Sequence, residues 1–275
     1  MYEPGPGGMT MPSRSDTYAN LVSVAFDDLE KALDIAVKAY GKLVKKIDEF
    51  MPYAQGAGGA AVTLTGGESI WLTGKVLEWI RQKLHEIHKW LKEVIRRAKS
   101  ALKHQTPVIS LIYASFAWLD EVLAPVSGLA VEADRSADRN LVSWHADAAE
   151  SYMQIKDEQV AAAKGATECA EAISNWLMSV AQANVSYVVT LVGMAADVGT
   201  TLIAAVAEIS TAVEAPWGVD KAAEAIAKAV SKGIEALGKT VEKLLGAIAD
   251  ARELYSKTAN RTTFPDGRWP NSVTV

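Results

Sequence analysis

The chain has 275 residues, a formal net charge of −5 at pH 7 and a single cysteine, Cys169. This length allows one or two domains, the mild acidity gives no global preference for nucleic acid, and one cysteine excludes an intramolecular disulfide framework. Residues 1–16 are rich in glycine, proline, serine and methionine, without the basic start and apolar core of a cleaved secretory signal peptide. We expect this N-terminal segment to be disordered.

Apolar residues at helical spacing predict an N-terminal helical hairpin over residues 17–104. Its first helix is predicted over about Thr17–Phe50, with Ser15 or Asp16 as the N-cap. Met51-Pro52 is predicted to end this helix, because a proline disfavours the helical conformation of the residue before it.

The second helix is predicted over about Ser69–His104, after a glycine-rich loop with room for a short extended piece at Val62–Leu64. It is strongly basic, with nine lysines and arginines against three glutamates. Trp79 and Trp90 lie on nearly the same side of it. A basic amphipathic helix with tryptophans fits a membrane surface or, more commonly, the solvated face of a bundle helix.

Residues 105–182 are predicted to form a second helical hairpin. Thr106-Pro107 favours the start of the third helix, which runs to about Ser143 and which Pro125 is expected to kink or split. The fourth helix is predicted to start near Asp147.

The stretch between these helices contains Trp144 and the small residue Ala146, followed by Asp147 and the aromatic Tyr152. An indole that closes the end of the interface and a small residue that lets the chain reverse suit a tight turn between antiparallel helices. Glu150 follows Asp147 at capping-box spacing. The alternative is an ordinary helix start with a tryptophan in the core.

This run resembles the signature of the WxG family of type VII (ESX-like) secretion substrates: tryptophan, any residue, glycine, then small residues and an aromatic. Ala146 stands where the family has glycine, and the resemblance covers about Pro107–Gln182. It implies a helical hairpin with its bend at Trp144, export without a cleaved signal peptide, and an actinobacterial source. It also implies contact with a helical partner or the secretion machinery through Trp144, Ala146, Asp147 and Tyr152.

Substrates of that family usually carry a Tyr-x-x-x-Asp/Glu export signal after the hairpin. No tyrosine of this chain has an acidic residue four positions later, and Tyr152 is followed there by Lys156. We therefore expect either that a partner brings the signal or that the chain is an accessory protein.

Residues 183–258 are apolar and alanine-rich. Val185–Val213 contains Asp197 and Glu208 and is followed by Glu214, so we expect no uncharged apolar stretch of transmembrane length. Its small residues suit a buried helix or helical hairpin, with a conditional membrane insert as the rival interpretation.

A turn is predicted at residues 215–218, and then a last helix that extends to about Thr258. The three- and four-residue spacing of its apolar residues is typical of a coiled-coil seam. The seam residues are Ile226, Val230, Gly233, Leu237, Val241, Leu244 and Ile248. Residues 259–275 are predicted to form a tail.

Motifs that carry chemistry are scarce. His85 and His88 have no recognisable third metal ligand, and the Ser-x-x-Lys run at Ser100 has none of its companion elements. We expect no enzymatic activity, no cofactor and no metal.

The sequence thus predicts an all-α fold, an elongated bundle of about five long helices that includes the WxG-like hairpin. The predicted function is that of a type VII secretion-associated protein, substrate or accessory, which acts through helix–helix contacts. It would be cytoplasmic before export and then secreted or at the cell surface. A homo-oligomer and a weak membrane contact stay open, and nucleic acid is not expected. The alternatives are an α-helical membrane-active or pore-forming protein and an intracellular scaffold.

Overall fold

The computed structural model describes residues 13–56, 61–63, 69–71, 74–140, 147–209, 215–259 and 269. Within these ranges the fold is all-α, as predicted, apart from one small strand pair. The elements are α1 Arg14–Gly56, β1 Ala61–Thr63, β2 Ser69–Trp71, α2 Gly74–Lys103, α3 Gln105–Ala117, a π-helical turn Trp118–Leu123, α4 Ala124–Asn140, α5 Asp147–Glu208 and α6 Ala215–Thr258. Because α3, the π-helical turn and α4 are continuous, the described chain contains five long helical segments, the number predicted.

Helix α1 starts earlier than predicted, because Ser13 caps it. The Ser13 Oγ accepts the Asp16 N–H at 3.1 Å, and the Asp16 carboxylate accepts the Ser13 N–H at 3.3 Å, which is a reciprocal capping box. The predicted cap at Ser15 or Asp16, and disorder as far as Asp16, were therefore wrong for Arg14–Asp16. Residues 1–12 lie outside the described residues.

Helix α1 also continues past its predicted stop at Met51-Pro52 and ends at Gly56. Pro52 removes one N–H donor, whose acceptor in a helix would be the carbonyl of Asp48. So close to the C-terminus this loss affects only the last turn, and it does not end the helix.

The strand pair replaces the predicted first turn of the second helix. Val62 lies opposite Ile70 in an antiparallel register, so β1 is the extended piece predicted near Val62. Ser69–Trp71 forms β2, and α2 begins only at Gly74. Ile70 and Trp71 favour a strand when a partner strand is present, and β1 provides that partner five residues upstream of β2.

The irregularity predicted at Pro125 is a π-helical turn. The Ala124 N–H donates to the Leu119 carbonyl, five residues back rather than four. This wider turn precedes a residue that has no N–H to donate, a usual cause of a local π-helical bulge. The helix is widened at this point but not broken.

Helices α5 and α6 are longer than predicted. Helix α5 is one continuous helix of 62 residues, so the predicted limit near residue 182 is not the end of a helix. Helix α6 begins at Ala215, and its first turn replaces the predicted turn at residues 215–218. A Cβ at Gly218 would lie 2.7 Å from Ile209 Cγ1, so glycine permits the close approach of α5 and α6 there.

The chain divides into two compact units that are discontinuous in sequence. The hairpin unit contains residues 1–21, 107–183 and 242–275, and the four-helix unit contains residues 22–106 and 184–241. Helices α1, α5 and α6 contribute residues to both units. Two unit limits lie within two residues of the limits predicted at 104/105 and 182/183, whereas the predicted region 183–258 is divided at 241/242.

The four-helix unit has a core of large apolar side chains. All of the largest fully buried side chains of the described chain lie in it: Phe26, Leu29, Leu43, Ile47, Ile87, Val94, Leu191, Val198, Leu202, Ile209, Val219 and Ile226. Helices α5 and α6 are antiparallel here, because Met194 packs on Gly233 while Ile209 packs on Gly218. A Cβ at Gly233 would overlap the Met194 side chain.

The predicted seam of α6 is only half right. Ile226, Val230 and Leu237 are buried, but Val241 and Ile248 are exposed. Thr240 and Ala247 continue the alternating spacing of the buried residues up to Leu237, so the predicted seam leaves the buried side of α6 at Val241.

The described part of Val185–Val213 has one buried side, with Val188, Leu191 and Val198 in the core. Its other side exposes Val189 and Ile203. The predicted burial therefore holds for one side of this segment.

Candidate functional site

The predicted hairpin is seen in two contacts between its helices. Ser115 of α3 packs on Ser174 of α5, and Lys156 of α5 lies 3.4 Å from the Asp134 carboxylate of α4. The first arm, α3 to α4, runs from Ser115 to Asp134, while the residues that they contact on α5 run from Ser174 back to Lys156. The two arms are therefore antiparallel. The midpoint of each pair falls at residues 144–145.

The bend itself falls in the connection between Asn140 and Asp147. Trp144 and Ala146, two of the four predicted contact residues, lie in this connection and outside the described residues. Asp147 and Tyr152 are described, and both side chains are exposed at the start of α5. Asp147 and Glu150 belong to the first turn of α5, where carboxylates stabilise the N-terminus of a helix.

The contact between Ser115 and Ser174 fixes the distance between the arms. The Ser174 Oγ donates to the Ser115 carbonyl at 2.8 Å, and the Ser115 Oγ donates to the Ser174 carbonyl at 3.1 Å. Both side chains are buried, and each hydroxyl has a partner on the facing helix. Residues this small let two backbones approach closely, and the reciprocal bonds satisfy polar groups that would otherwise be costly to bury.

Sequence reasoning did not identify this pair or the pair of Lys156 and Asp134. The Lys156 side chain is largely buried, while Asp134 is exposed, so the charge reaches the carboxylate at the edge of the interface. A signal existed for the serines, since Ser115 interrupts the apolar side of α3 and Ser174 interrupts an alanine-rich helix.

The first turn of α1 docks on the same hairpin. The Tyr113 hydroxyl donates to Asp16 Oδ1 at 3.0 Å, and the Tyr18 and Phe116 rings lie 5.8 Å apart between centroids. Hydrogen bonds from Ser13 and then Tyr113 lower the pKa of Asp16, and the bond to Asp16 raises the pKa of Tyr113. The carboxylate thus links the N-cap of α1 to α3.

A second candidate surface is the outer side of α2, here called the α2 basic face. It consists of exposed cationic side chains at multiples of three- and four-residue spacing: Arg81, Lys89, Lys92, Lys99 and Lys103. Among the residues that the structure describes, none of these five forms an ion pair. No large apolar side chain of residues 78–103 is exposed, so this face offers charge without an apolar anchor.

Three further cations of α2 form ion pairs with acidic residues: Lys83, Arg96 and Arg97. The Glu93 carboxylate accepts from Arg96 Nη2 at 2.8 Å and from Arg97 Nε at 2.6 Å, which lowers the pKa of Glu93 to about 2. Lys83 lies between Glu86 and Asp220 of α6, at 3.2 and 3.6 Å, and mainly its bond to Glu86 raises the pKa of Lys83. The paired cations of α2 therefore differ from those of the α2 basic face, which form no ion pair among the described residues.

Groups suited to catalysis do not converge in the described residues. No three His, Cys, Asp or Glu side chains among them could hold a metal ion, and His85 and His88 are exposed on α2. One cleft lies between α5 and α6 in the hairpin unit, where the Trp176 Nε1–H donates to the Ala247 carbonyl at 2.7 Å. Its lining is Ala172, Asn175, Trp176, Ser179, Asp250, Glu253 and Leu254.

Among the residues that the structure describes, two helical segments are long and apolar enough to cross a membrane, by length and composition alone. They are Gln105–Asp134, with 17% of its most apolar window buried, and Ala149–Glu208, with 44%. The sequence expectation that no such stretch exists was therefore wrong. That expectation considered only the residues from Val185 onward, whereas the uncharged run extends from Glu171 to Asp197.

Comparison of the chain with protein-family models, with curated proteins and with solved structures finds no match. The candidate sites therefore depend on the residues and contacts given above.

Proposed function

We propose that this chain is a type VII secretion-associated helical protein, a substrate or an accessory, that acts through helix–helix contacts at the bend of its α4–α5 hairpin. The observation that supports the proposal most is the antiparallel pairing of the two arms about residues 144–145. A helical hairpin whose connection contains Trp144-His145-Ala146 is the arrangement that the WxG-like signature implies.

The neighbours of the bend also suit recognition. Exposed Asp147 and Tyr152 stand at the start of α5 and offer a carboxylate and a phenol to a partner. Export would follow a route without a cleaved signal peptide. Since the Tyr-x-x-x-Asp/Glu element is lacking, the partner carries the export signal or this chain assists other substrates.

The test is Trp144→Ala in a host with an active type VII system. We expect the helical circular dichroism to stay unchanged, while appearance in culture filtrate, dependent on the secretion ATPase, falls. Trp217→Ala is the matched control, because Trp217 is an exposed tryptophan on α6 that belongs to the four-helix unit.

Unchanged export of the Trp144 variant would refute the proposal. A loss of about 3–5 kcal/mol in the free energy of unfolding would instead assign Trp144 to the core, since this is the usual effect of truncating a buried tryptophan.

The second candidate function is that of an α-helical membrane-active protein. The low burial of the apolar window in Gln105–Asp134 favours it. In that function the α2 basic face would make the first contact with anionic lipid, at about 1 kcal/mol for each Lys or Arg near the surface.

Co-sedimentation with phosphatidylserine vesicles at low and physiological salt separates the two functions. The first proposal predicts weak binding that salt abolishes, because exposed charges are screened. Binding that survives physiological salt and is lost in Lys89→Gln/Lys92→Gln/Lys99→Gln would favour the membrane function. Lys228→Gln/Lys232→Gln/Lys243→Gln makes the same charge change on exposed lysines of α6 and is the control.

A further inference from the structure

The C-terminal half of α6 turns a row of large apolar side chains toward solvent. Val241, Leu245, Ile248 and Tyr255 are 49%, 59%, 65% and 75% exposed. With Arg252 they follow one another at alternating four- and three-residue steps, which is the a/d spacing of a coiled-coil strand. These five residues are here called the α6 seam.

The seam is distinct from the side by which α6 packs on the rest of the protein. Between Leu237 and Ser256 the buried positions are Thr240 and Ala247, and the Ala247 carbonyl accepts a hydrogen bond from the Trp176 indole N–H of α5. At 100° per residue the seam is centred about 120° around the helix from Ala247. Helix α6 therefore has an inner side that meets α5 and a separate apolar side.

We propose that the α6 seam pairs with the α6 seam of a second copy of the chain, as an antiparallel two-helix coiled coil with its two-fold axis between Gly246 and Ala247. In this register Leu245 lies opposite the partner's Ile248, and Val241 lies opposite the partner's Arg252. Each contact occurs twice, as the two-fold symmetry of a homodimer requires. The proposal does not depend on the function of the Trp144 hairpin.

Charge and shape both favour the antiparallel register. In a parallel pair, Arg252 would lie opposite the partner's Arg252, and like charges would meet in the seam. In the antiparallel pair, Arg252 lies beside Val241 of the other chain and within reach of the partner's Glu242, which adjoins that position. The antiparallel register thus has two attractive pairs, each between Arg252 of one chain and Glu242 of the other, where the parallel register has one repulsive contact.

The largest seam residue also finds room in this register. Tyr255 lies opposite the partner's Gly238, and a Cβ built at Gly238 meets nothing within 4 Å. Gly246, beside the two-fold axis, likewise has open space around its Cα. Glycines on an exposed helix surface reduce helix stability, and a facing aromatic ring gives Gly238 a packing role.

A second copy suits the seam better than a lipid surface does. Arg252 within the row and Glu242 beside it would be carried into the apolar phase, where charged side chains are expensive. In a helix pair the same two residues satisfy each other.

Sedimentation of the full chain tests the association. We expect twice the 29.4 kDa chain mass at tens of micromolar. Leu245→Glu and Ile248→Glu should each return the chain mass without loss of helicity. Ile203→Glu, which places the same charge on an exposed apolar position of α5, should remain dimeric. A wild-type chain that is monomeric at all concentrations, or that dimerises equally well with Leu245→Glu, would overturn the proposal.

Cysteine cross-linking tests the register, with Cys169→Ser as the background. A mixture of Val241→Cys and Arg252→Cys chains should form a disulfide-linked heterodimer under mild oxidation, and neither variant should do so alone. In the antiparallel pair the two Val241 positions are about 16 Å apart along the axis, beyond the Cα separation that a disulfide spans. Cross-linking of Val241→Cys with itself would show a parallel pair and overturn the assignment.

Discussion

The two units of this protein are packed by different means. The four-helix unit buries leucine, isoleucine, valine and phenylalanine, and every one of the largest fully buried side chains belongs to it. The hairpin unit buries mostly small side chains, among them Ala162, Ala163, Ala170, Ser115 and Ser174. Its helices are joined by hydrogen bonds from Ser115, Ser174 and Trp176.

This difference has an energetic consequence. Burial of apolar area contributes roughly 25 cal/mol per Å², so an alanine interface gains much less from water exclusion than an interface of leucines. A small-residue interface is stabilised instead by close backbone approach and by interhelical hydrogen bonds, at about 0.5–1.5 kcal/mol each. We therefore expect the hairpin unit to open at a lower free energy than the four-helix unit. A region of low local stability suits a segment that a partner or a secretion apparatus recognises.

The largest expected effect is a truncation in the core of the four-helix unit. Leu202 is fully buried on α5, and Leu202→Ala should lower the free energy of unfolding by about 2–5 kcal/mol, because it removes apolar contacts and leaves a cavity. The adjacent Ile203 is half exposed on the same helix, and Ile203→Ala should change stability by no more than about 0.5 kcal/mol. Urea titration followed by circular dichroism measures both. Equal losses in the two variants would show that this unit does not depend on its buried side chains.

A smaller effect is expected at the serine pair of the hairpin unit. Ser174→Ala removes one of the two reciprocal hydrogen bonds and should destabilise the protein by about 1 kcal/mol. Ser115→Ala should do the same, and the two losses should be close to additive in the double variant, because each hydroxyl donates to the backbone carbonyl of the other residue, which alanine retains. Hydrogen exchange should show faster opening of α3 while the core of the four-helix unit stays protected.

Ser179→Ala is the control for this pair. Its hydroxyl is exposed and donates within its own helix to the Asn175 carbonyl, so its loss should have almost no effect. A loss in Ser179→Ala as large as that in Ser174→Ala would contradict a stabilising role of the interhelical bonds.

The same contrast explains how much of the fold the sequence predicts. The long helices are evident from apolar periodicity, which is strong where large side chains are buried, as along the residues between Leu29 and Ile47. The strand Ser69–Trp71 is not evident, because its partner lies at Ala61–Thr63 and pairing is not encoded in periodicity. The buried side of the C-terminal half of α6 is not predictable in this way, because that half has apolar residues on two sides and periodicity alone does not show which side packs on the protein.

The candidate site is predictable to a similar degree. The resemblance to the WxG signature predicts a bend near Trp144, and the pairing of Ser115 with Ser174 then follows if that bend is the centre of an antiparallel hairpin. The contact of Asp16 with Tyr113 does not follow, because it joins segments about a hundred residues apart in sequence. The side-chain environment of Trp144 itself falls outside the described residues and stays a prediction.

The smallest expected effect concerns a surface charge cluster of the four-helix unit. Glu93 accepts hydrogen bonds from Arg96 and Arg97 on α2, and these bonds lower its pKa from 4.5 to about 2. The folded-state pKa is thus below the value of an unperturbed carboxyl. The stabilisation is complete at pH values above about 4.5 and is lost as the pH falls from there through about 2, because protonation of Glu93 removes its charge.

Its magnitude is limited by exposure. Intrahelical pairs at three- and four-residue spacing contribute about 0.2–0.5 kcal/mol each, and the Arg96 side chain is largely in solvent. Glu93→Gln should therefore reduce the free energy of unfolding by about 0.5 kcal/mol at pH 7 and by almost nothing near pH 2. Glu78→Gln, at an exposed glutamate of the same helix, is the control. A wild-type advantage over Glu93→Gln that stays constant between pH 7 and pH 2 would mean that the carboxylate charge is not its source. A loss as large as that of Leu202→Ala would remove the distinction between the core of this unit and its charged surface.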